Sequence, residues 1–530
     1  MQIIIPMSGT GQRFLNAGYS VPKPLIEVDE KPIIEHVVNL FPKEGNFIFV
    51  CNNDHLKNTN MRAILKRIAP KGEIYGIPTH KKGPVYAVSV IQEVVSDDKE
   101  TIINYCDFSK RWNYHDFLKT VRAKEADGAI SAYRGFHPHM LNSPNYAFIK
   151  EESKWMIEIR EKLPFTDDKM QEYASDGTYY FKYGKFVKRY FKQLMDENIN
   201  TSGEFYVSMV YNLMKRDGLK IAIYEIEHML QWGTPRDLEE YKRWSVYFKS
   251  IAQVPKAIRV QKNSINLIPL AGRGSRFSAH GYTLPKPLIK VNGKSMIIQA
   301  ASHLPRATKY IFICLADHLN NYPLKKEILK VYPKAKIVGL DKITEGQACT
   351  CELGLSGEDL EFPLLIGACD NGMVWDARKY ESLITNKAVD SIIWCVRHYL
   401  PSERNPQMYS WLRVDKDDNV LGASVKVPVS DNSYNDYAMV GTFYFKKAKY
   451  FIEALKRMRE KNIRVNNEFY VDSCVNELIA MRLGVKAFGV DYICWGTPDE
   501  LHTYEYWQSF FHKCPRVSLQ LPLGYFLMYP

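Results

Sequence analysis

Short apolar runs alternate with stretches of helical periodicity along much of the chain. The runs IIIPM at 3–7, NFIFVCN at 46–52 and TIINYCDF at 101–108 have the length and composition of buried strands. Between the first two, PIIEHVVNLF at 32–41 has the periodicity of a helix. Strands that alternate with helices predict an α/β sheet, whose ligands bind at the carboxyl ends of its strands.

The same pattern of residues occurs twice. MSGTGQRFLNAGYSVPKPL at 7–25 is echoed by LAGRGSRFSAHGYTLPKPL at 270–288, and WGTP at 232–235 by WGTP at 495–498, both at an offset of 263. GTYYF at 177–181 and EFYV at 204–207 recur as GTFYF and EFYV at an offset of 264. So many matched segments predict two fused copies of one domain of about 250 residues. We expect domains at 1–244 and 264–512, a basic linker at 245–263 and a C-terminal tail at 513–530.

Composition narrows the functional class. The chain has 530 residues, 46% of them hydrophobic and 25% charged, and a formal net charge of +12. This charge fits either basic residues spread over the surface or attraction of anionic ligands, and because the basic residues form no long block we expect no nucleic acid partner. Ten cysteines without a CxxC pair give no sign of a zinc site, and the first apolar run is too short for a signal or a membrane span. These features predict a cytoplasmic protein without a membrane partner, and they leave a homo-oligomer open.

The Gly-rich loop and the Pro-Lys-Pro segment suggest phosphate chemistry. GxGxR after a strand is by itself consistent with a tight turn, but glycines also let backbone N–H groups approach an anion closely. The prolines on both sides of one lysine restrict the backbone and hold the ammonium in place. The repetition of both motifs at the same spacing favours a phosphate site in each half, with Arg13, Lys23, Arg276 and Lys286 as its cations.

An aspartate follows an apolar run in each half. Asp107 follows TIINYC and Asp370 follows LLIGAC. Such a carboxylate either caps the next segment or binds a metal ion. Beside phosphate-binding motifs we expect Mg²⁺ at both positions.

Together these motifs resemble the sugar-phosphate nucleotidylyltransferase family, over about 1–242 and 264–505. The resemblance implies two tandem Rossmann-like, GT-A-type α/β domains, each with a mixed, mostly parallel sheet flanked by helices. It also implies transfer of NMP from an NTP to a sugar phosphate or another small phosphorylated alcohol, with release of pyrophosphate and with Mg²⁺ as cofactor. In this family the product serves as a precursor, which here suggests surface-polysaccharide synthesis.

The resemblance also assigns roles to individual positions. It implies that the arginines and lysines named above are catalytic and that Asp107 and Asp370 bind the metal. The nucleotide-binding positions would be Ser8, Gly9, Gly11, Gly83, Ala271, Gly272, Gly274 and Gly346. The acceptor-binding positions would be Glu161, Lys162, Gly177, Lys426 and Gly441.

The sequence departs from the family pattern in two places. Many members carry a second metal-binding aspartate where this chain has Gln231 and Cys494, neither of which suits Mg²⁺. His228 and Asp491 are the nearest candidate substitutes. In the acceptor motif Val425 replaces the acid found at Glu161, so we expect the second half to bind a different acceptor or to bind one poorly.

Two alternatives stay open. One half of the chain could be a nucleotide-binding regulatory or structural module beside a single catalytic half. A GT-A glycosyltransferase would share the fold class, but such enzymes usually carry a DxD motif, whereas this chain has CDF and CDN.

Overall fold

The computed structural model describes residues 1–142, 144–250 and 261–513. The chain folds into two compact units, Met1–Val246 and Tyr247–Pro530. Part of the predicted linker, residues 245–250, belongs to a helix, whereas residues 251–260 lie outside the described part of the chain. The predicted tail lies outside it as well, apart from Lys513 at the end of the last helix.

The first unit is an α/β structure. Its strands are β1 Gln2–Met7, β2 Glu27–Val28, β3 Lys31–Pro32, β4 Phe47–Asn52, β5 Glu73–Ile77, β6 Thr101–Asn104, β7 Phe108–Arg111, β8 Gly128–Tyr133, β9 Ala147–Glu152, β10 Trp155–Glu161, β11 Tyr173–Phe181, β12 Ile221–Glu225 and β13 His228–Gln231. Its helices are α1 Gln12–Asn16, α2 Ile33–Val38, α3 Asn53–Asn58, α4 Met61–Ile68, α5 Gly83–Val90, α6 Tyr114–Ala123, α7 Gly184–Asp196, α8 Val207–Arg216 and α9 Pro235–Ser250. Short 3-10 turns occupy Lys23–Leu25, Gln92–Val94, Pro138–Leu141 and Lys169–Gln171.

The main sheet of the first unit is mixed, in the order β5-β4-β1-β6-β11-β8-β12-β10-β9. Strand β1 lies parallel to β4 and β6, whereas β11 runs antiparallel to β6 and β8. Because β1 has neighbours on both sides and both of its faces are covered, all six of its residues are buried. The carboxyl ends of β1, β4 and β6 therefore meet at one edge of the sheet, where the predicted phosphate loop begins.

The second unit is also an α/β structure. Its strands are β14 Ile265–Leu270, β15 Lys290–Val291, β16 Lys294–Ser295, β17 Lys309–Leu315, β18 Lys336–Leu340, β19 Leu364–Ile366, β20 Asn371–Val374, β21 Ser391–Val396, β22 Ser410–Val414, β23 Val420–Val425, β24 Tyr437–Phe445, β25 Val485–Gly489 and β26 Asp491–Cys494. Its helices are α10 Ser275–Ala279, α11 Met296–Ser302, α12 Ala316–Asn321, α13 Leu324–Val331, α14 Gln347–Gly354, α15 Ala377–Thr385, α16 Leu400–Arg404, α17 Ala448–Glu460, α18 Val471–Ala480 and α19 Pro498–Lys513. Two 3-10 turns lie at Lys286–Leu288 and Pro406–Met408.

The strand order in the second unit is β18-β17-β14-β19-β24-β21-β25, and β22 joins β24 to β23. This is the order of the first sheet for the strands that correspond at the 263–264 offset. The α/β class with mixed sheets, predicted from the sequence, is confirmed. Within the residues that the structure describes, no helix has both the length and the apolar character needed to cross a bilayer.

Two local predictions need correction. The helix predicted at 32–41 covers only Ile33–Val38, because Pro32 has an extended backbone and the residues after Val38 continue as single turns. The predicted strand-end aspartates lie in loops just beyond the strands, since β6 ends at Asn104 and β19 at Ile366. After Asp107 the chain turns away from the main sheet into β7, which pairs with β13.

The interior of the first unit holds an ion pair that the second unit replaces by apolar residues. Lys110 and Asp176 have fully buried side chains, and Lys110 Nζ lies 2.8 Å from Asp176 Oδ2. Lys110 also donates to Ser131 and Thr178 at 3.0 and 2.7 Å. Burial lowers the pKa of Lys110 to about 8, although Asp176 opposes this shift. At the corresponding positions the second unit retains the threonine but has Met373 for the lysine, Val440 for the aspartate and Trp394 for the serine.

This exchange predicts a strong coupling between the two charged residues. Lys110→Met leaves a buried carboxylate without its counter-ion, which costs about 3–5 kcal/mol. That loss should lower the calorimetric transition of the first unit by roughly 10 °C. Lys110→Met combined with Asp176→Val copies the second unit and should recover at least half of the loss. Losses that simply add would show that the pair is not coupled.

Candidate functional site

The Gly-rich loop of each unit lies directly against its Pro-Lys-Pro lysine. Gly11 and Gly274 have φ of +66° and +65°, in the left-handed region that favours glycine. A Cβ at Gly11 would lie 3.7 Å from Lys23 Cβ, and one at Gly274 would lie 2.9 Å from Lys286 Cβ. A Cβ at Gly9 would instead meet no atom within 4 Å. The loop therefore packs on the lysine with one side and leaves open space at the other.

The loop residue before the first glycine differs between the units. Ser8 is buried, its hydroxyl lies 2.9 Å from His80 Nε2, and its carbonyl accepts from Asn52 Nδ2 at 3.2 Å. The corresponding positions in the second unit are Ala271, Ile343 and Leu315. Gly272, like Gly9, faces open space. The loop shape is thus kept while its polar support in the first unit becomes apolar in the second.

An ion pair joins the lysine to the loop aspartate. Lys23 Nζ donates to Asp107 Oδ2 at 2.7 Å, and the two side chains are 22% and 27% exposed. Burial opposes the ammonium charge, but Asp107 outweighs it and raises the pKa of Lys23 above its usual value. Lys23 therefore stays charged at neutral pH.

The second unit repeats the ion pair. Lys286 Nζ donates to Asp370 Oδ2. Burial opposes the carboxylate charge, but Lys286 and then Arg276 lower the pKa of Asp370. Arg13 and Arg276 are exposed. Arg13 lies near enough to Lys23 to oppose the rise in its pKa, and Arg276 near enough to Asp370 to lower the pKa of that carboxyl. Each site thus brings together the three charged side chains that the sequence singled out.

Gly83 and Gly346, which the resemblance places at the nucleotide, have a packing role that the sequence did not suggest. Gly83 has φ of +84°, and a Cβ there would lie 2.7 Å from the carbonyl oxygen of Phe205. Phe205 N donates to Lys82 O, and Phe205 O accepts from Val85 N. Gly346 has φ of +132° and makes the same close approach to Phe469. The EFYV backbone, at Phe205 and at Phe469, therefore packs directly against Gly83 and Gly346.

This packing predicts different costs for two glycines of similar conformation. Gly83→Ala should destabilise the first unit by about 3 kcal/mol, since strain and a backbone clash add together. Gly203→Ala is the control, because Gly203 has φ of +81° and a Cβ would meet nothing within 4 Å. The control should cost about 1 kcal/mol. Equal shifts in thermal unfolding would show that the contact with Phe205 does not matter.

The predicted acceptor residues of the first unit form one polar wall. Ser208 Oγ donates to Glu161 Oε2 at 2.6 Å, and Lys162 Nζ donates to Tyr206 OH at 2.7 Å. Tyr206 in turn donates to Glu204 of the EFYV motif. Burial raises the pKa of Glu161 to about 7, although the Ser208 hydrogen bond and Lys162 oppose this shift. Glu161 therefore changes charge near neutral pH.

The raised pKa makes the stability of the first unit depend on pH. Because the pKa of Glu161 in the folded state lies above the ordinary 4.5, the charged form costs stability, and this cost grows from pH 4.5 until it is complete above pH 7. Glu161→Gln should therefore be more stable than the parent by about 3 kcal/mol at pH 8, measured as a higher unfolding temperature, and should match the parent at pH 4.5. The exposed Glu93→Gln is the control. An advantage that does not change with pH would contradict this assignment.

The glycine of GTYYF lies against the loop that carries Asp107, since it contacts Tyr105 and Phe108. Gly177 has φ of +100°, and a Cβ there would lie 3.0 Å from the Tyr105 ring. Tyr105 N donates to Gly177 O at 3.0 Å, and its hydroxyl accepts from Val207 N at 3.3 Å. Tyr105 thus connects the Asp107 loop to the acceptor wall. In the second unit Gly441 meets only Ala368 Cβ, at 3.4 Å, because Ala368 replaces the tyrosine.

The proposed substitutes for the second acid do not lie at the site. In the β7–β13 ladder His228 pairs with Arg111, at the end away from Asp107, and Asp491 pairs with Val374 in β20–β26. Each is three residues, about 10 Å, along its strand from the position it would replace. His228 is also buried.

A different carboxylate reaches the second site. Cys494 donates its thiol proton to Glu500 Oε2 at 3.1 Å. Burial, Glu500 and Asp370 raise the pKa of Cys494 well above its usual value, so the thiol stays protonated. A Cβ at Gly496 would lie 3.2 Å from Asp370 Oδ2 and 3.6 Å from Glu500 Oε2. Thr497 and Glu500 have the T-x-x-E pattern of a helix cap, so the sequence alone does not indicate that Glu500 lies at the site.

The donor set suits a metal ion held jointly with substrate. Among the described residues no group of three His, Cys, Asp or Glu side chains is placed to hold a metal. Mg²⁺ commonly takes one or two carboxylates and completes its shell with phosphates and water. Asp107 in the first unit, and Asp370 with Glu500 nearby in the second, fit that requirement.

Comparison with known proteins assigns the first unit. Residues 2–218 match the family model described as nucleotidyl transferase. The match covers most of the first unit, and it confirms the predicted resemblance for that part of the chain at the level of nucleotidyl transferases. Bifunctional protein GlmU of Staphylococcus epidermidis is 23% identical over 223 residues, which cover 42% of this chain and 47% of that protein. The chain thus spans about half the length of the curated relatives it matches.

Solved structures of similar proteins each cover about half of this chain. A nucleoside-diphosphate-sugar pyrophosphorylase from Vibrio cholerae RC9 is 22% identical, covers 46% of this chain and 100% of its own, and has a TM-score of 0.39. The inositol-1-phosphate CTP transferase from T. maritima is 13% identical, covers 48% and 97%, and has a TM-score of 0.37.

Proposed function

We propose that the chain is a tandem nucleotidylyltransferase with one phosphate-transfer site in each unit. It would transfer NMP from an NTP to a sugar phosphate or another small phosphorylated alcohol, for polysaccharide precursor synthesis. The observation that carries this proposal is the ion pair between the Pro-Lys-Pro lysine and the loop aspartate, which occurs beneath a Gly-rich loop in both units.

The charge at the site fits the reaction. An oxygen of the acceptor phosphate attacks the α-phosphorus of the NTP, and the bond from that phosphorus to the bridging oxygen breaks as pyrophosphate leaves. The acceptor monoester has a second pKa of about 6, so it is largely ionised at neutral pH and no side chain has to remove a proton. The main barrier is the approach of two anions, which the exposed Arg13 and the charged Lys23 would lower.

The ion pair also suggests how the site holds its charges before substrate binds. With a triphosphate bound, Lys23 would turn from Asp107 to phosphate oxygens, and the carboxylate would become available to a metal. When bound there, Mg²⁺ would neutralise phosphate charge and orient the triphosphate. Lys286 and Asp370 would act in the same way in the second unit.

The test follows pyrophosphate release by the full chain with each of ATP, CTP, GTP, UTP and dTTP. The acceptors would be glucose 1-phosphate, inositol 1-phosphate and glycerol 3-phosphate. Lys23→Ala and Lys286→Ala should each lower kcat by about 10²–10³-fold for the reaction of their own unit. The exposed Lys57→Ala and Lys325→Ala are the matched controls and should change neither reaction.

The outcomes separate the alternatives. Two reactions, each lost in one lysine variant, support a tandem enzyme. A single reaction whose rate is unchanged by Lys286→Ala would indicate that the second unit is a nucleotide-binding module. No pyrophosphate with any combination, from a folded protein, would overturn the proposal.

A further inference from the structure

The acceptor wall of the second unit contains a carboxylate that its motif does not reveal. The acceptor motif is EKLP at 161–164 in the first unit and VKVP at 425–428 in the second, so Val425 stands where the first unit has Glu161. However, Asp472 directly follows the second EFYV motif, at the position of Ser208 in the first unit. It lies in the first turn of α18 and is half-buried.

The same scaffold holds both walls. In the first unit the Asn212 side chain accepts from Ile159 N at 3.0 Å and donates to Ile159 O at 2.8 Å. In the second unit Asn476 accepts from Ala423 N at 2.8 Å and donates to Ala423 O at 2.9 Å. Each clamp fixes the helix against the strand two residues before the acceptor-motif position. Side chains at corresponding positions therefore face the equivalent space within each unit.

The acid and its serine partner have exchanged elements. In the first unit Glu161 is on a strand, opposite Ala147, and accepts from Ser208 on α8. In the second unit Ser410 lies on the strand opposite Val425, and Asp472 is on the helix. Burial raises the pKa of Asp472, and Ser410 lies near enough to oppose this shift. Each wall thus has one acid and one serine, with the acid on the strand in the first unit and on the helix in the second.

The charges around Asp472 place it at the acceptor site. Lys426 follows Val425 with φ of +65°, as Lys162 follows Glu161 with φ of +60°. Burial lowers the pKa of Lys426, whereas Asp472 opposes this shift and Arg276 adds to it. Lys426 therefore lies within electrostatic range of both Asp472 and Arg276, a proposed phosphate-binding residue.

We propose that Asp472 is the acceptor-binding carboxylate of the second unit, in place of Glu161. This inference rests on the proposed function. The carboxylate would accept hydrogen bonds from hydroxyl groups of a phosphorylated polyhydroxy compound while Lys426 contacts its phosphate. Because this acid projects from the helix side of the site, the second unit would select acceptors whose hydroxyl groups face α18. Ala368, in place of Tyr105, leaves more room beside the same wall.

The test uses the full chain carrying Lys23→Ala, so that only the second unit turns over. Asp472→Asn should raise the KM for the preferred acceptor of the panel above by about 10–100-fold, since a hydrogen bond to a charged group is lost. The KM for the NTP should stay within about twofold, because the substitution lies away from the phosphate loop. Glu453→Gln, an exposed carboxylate on the neighbouring α17, is the matched control and should change neither constant.

A transplant distinguishes binding from a structural role. Asp472→Ser alone should lose the acceptor in the same way, whereas Val425→Glu/Ser410→Ala/Asp472→Ser rebuilds the wall of the first unit and should lower the KM for the acceptor that the first unit prefers by at least about tenfold relative to Asp472→Ser. An unchanged acceptor KM in Asp472→Asn would overturn this inference and leave the proposed function intact. Equal losses for acceptor and NTP, or a transplant that recovers nothing, would also overturn it. No turnover in the parent Lys23→Ala chain would instead refute the proposed function of the second unit.

Discussion

The ion pair between a Pro-flanked lysine and a loop aspartate organises each site. Lys23 and Asp107 lie 84 residues apart in sequence, and their contact joins the Gly-rich loop to the loop that follows β6. Gly11 has φ of +66°, a conformation that favours glycine, and the turn that it makes places the loop against the lysine stem. If one partner were removed, the other would remain as an uncompensated charge in a partly buried site, which would destabilise the fold. The pair therefore stabilises the site before substrate binds and holds the two charges that the proposed reaction needs.

Around this shared ion pair the two units differ in the side chains that fill their interiors. The first unit supports its phosphate loop with Ser8 and His80 and carries a buried Lys110–Asp176 pair. The second unit fills the equivalent positions with apolar side chains. Replacing a buried ion pair by apolar residues of similar volume is often neutral or stabilising. Such exchanges alter the core while the charged centre stays the same.

Much of the fold could be predicted from the sequence because its strands are short, apolar and followed by recognisable motifs. The 263-residue echo singled out the lysines and the aspartates as site residues, since a motif that occurs twice is poorly explained as a chance turn, but it did not predict their ion pair. The residues that were missed are recognised only in three dimensions. Glu500 looks like a helix cap, and Asp472 like an ordinary first-turn acid, until the Asn476 clamp shows which strand its helix faces. Gly83 was interpreted as a ligand contact, and its close approach to Phe205 comes from a segment more than about 100 residues away along the chain, a separation that no local pattern reveals.

If each unit holds a triphosphate site of its own, the full chain binds two nucleotides. Titration calorimetry of the full chain with each NTP in the presence of Mg²⁺ measures this directly and requires no acceptor. We expect two bound nucleotides per chain in total, counted over all NTPs if the two sites prefer different bases. Lys23→Ala and Lys286→Ala should each remove one of them. A total of one nucleotide per chain, lost in Lys23→Ala and unaffected by Lys286→Ala, would contradict the presence of two sites.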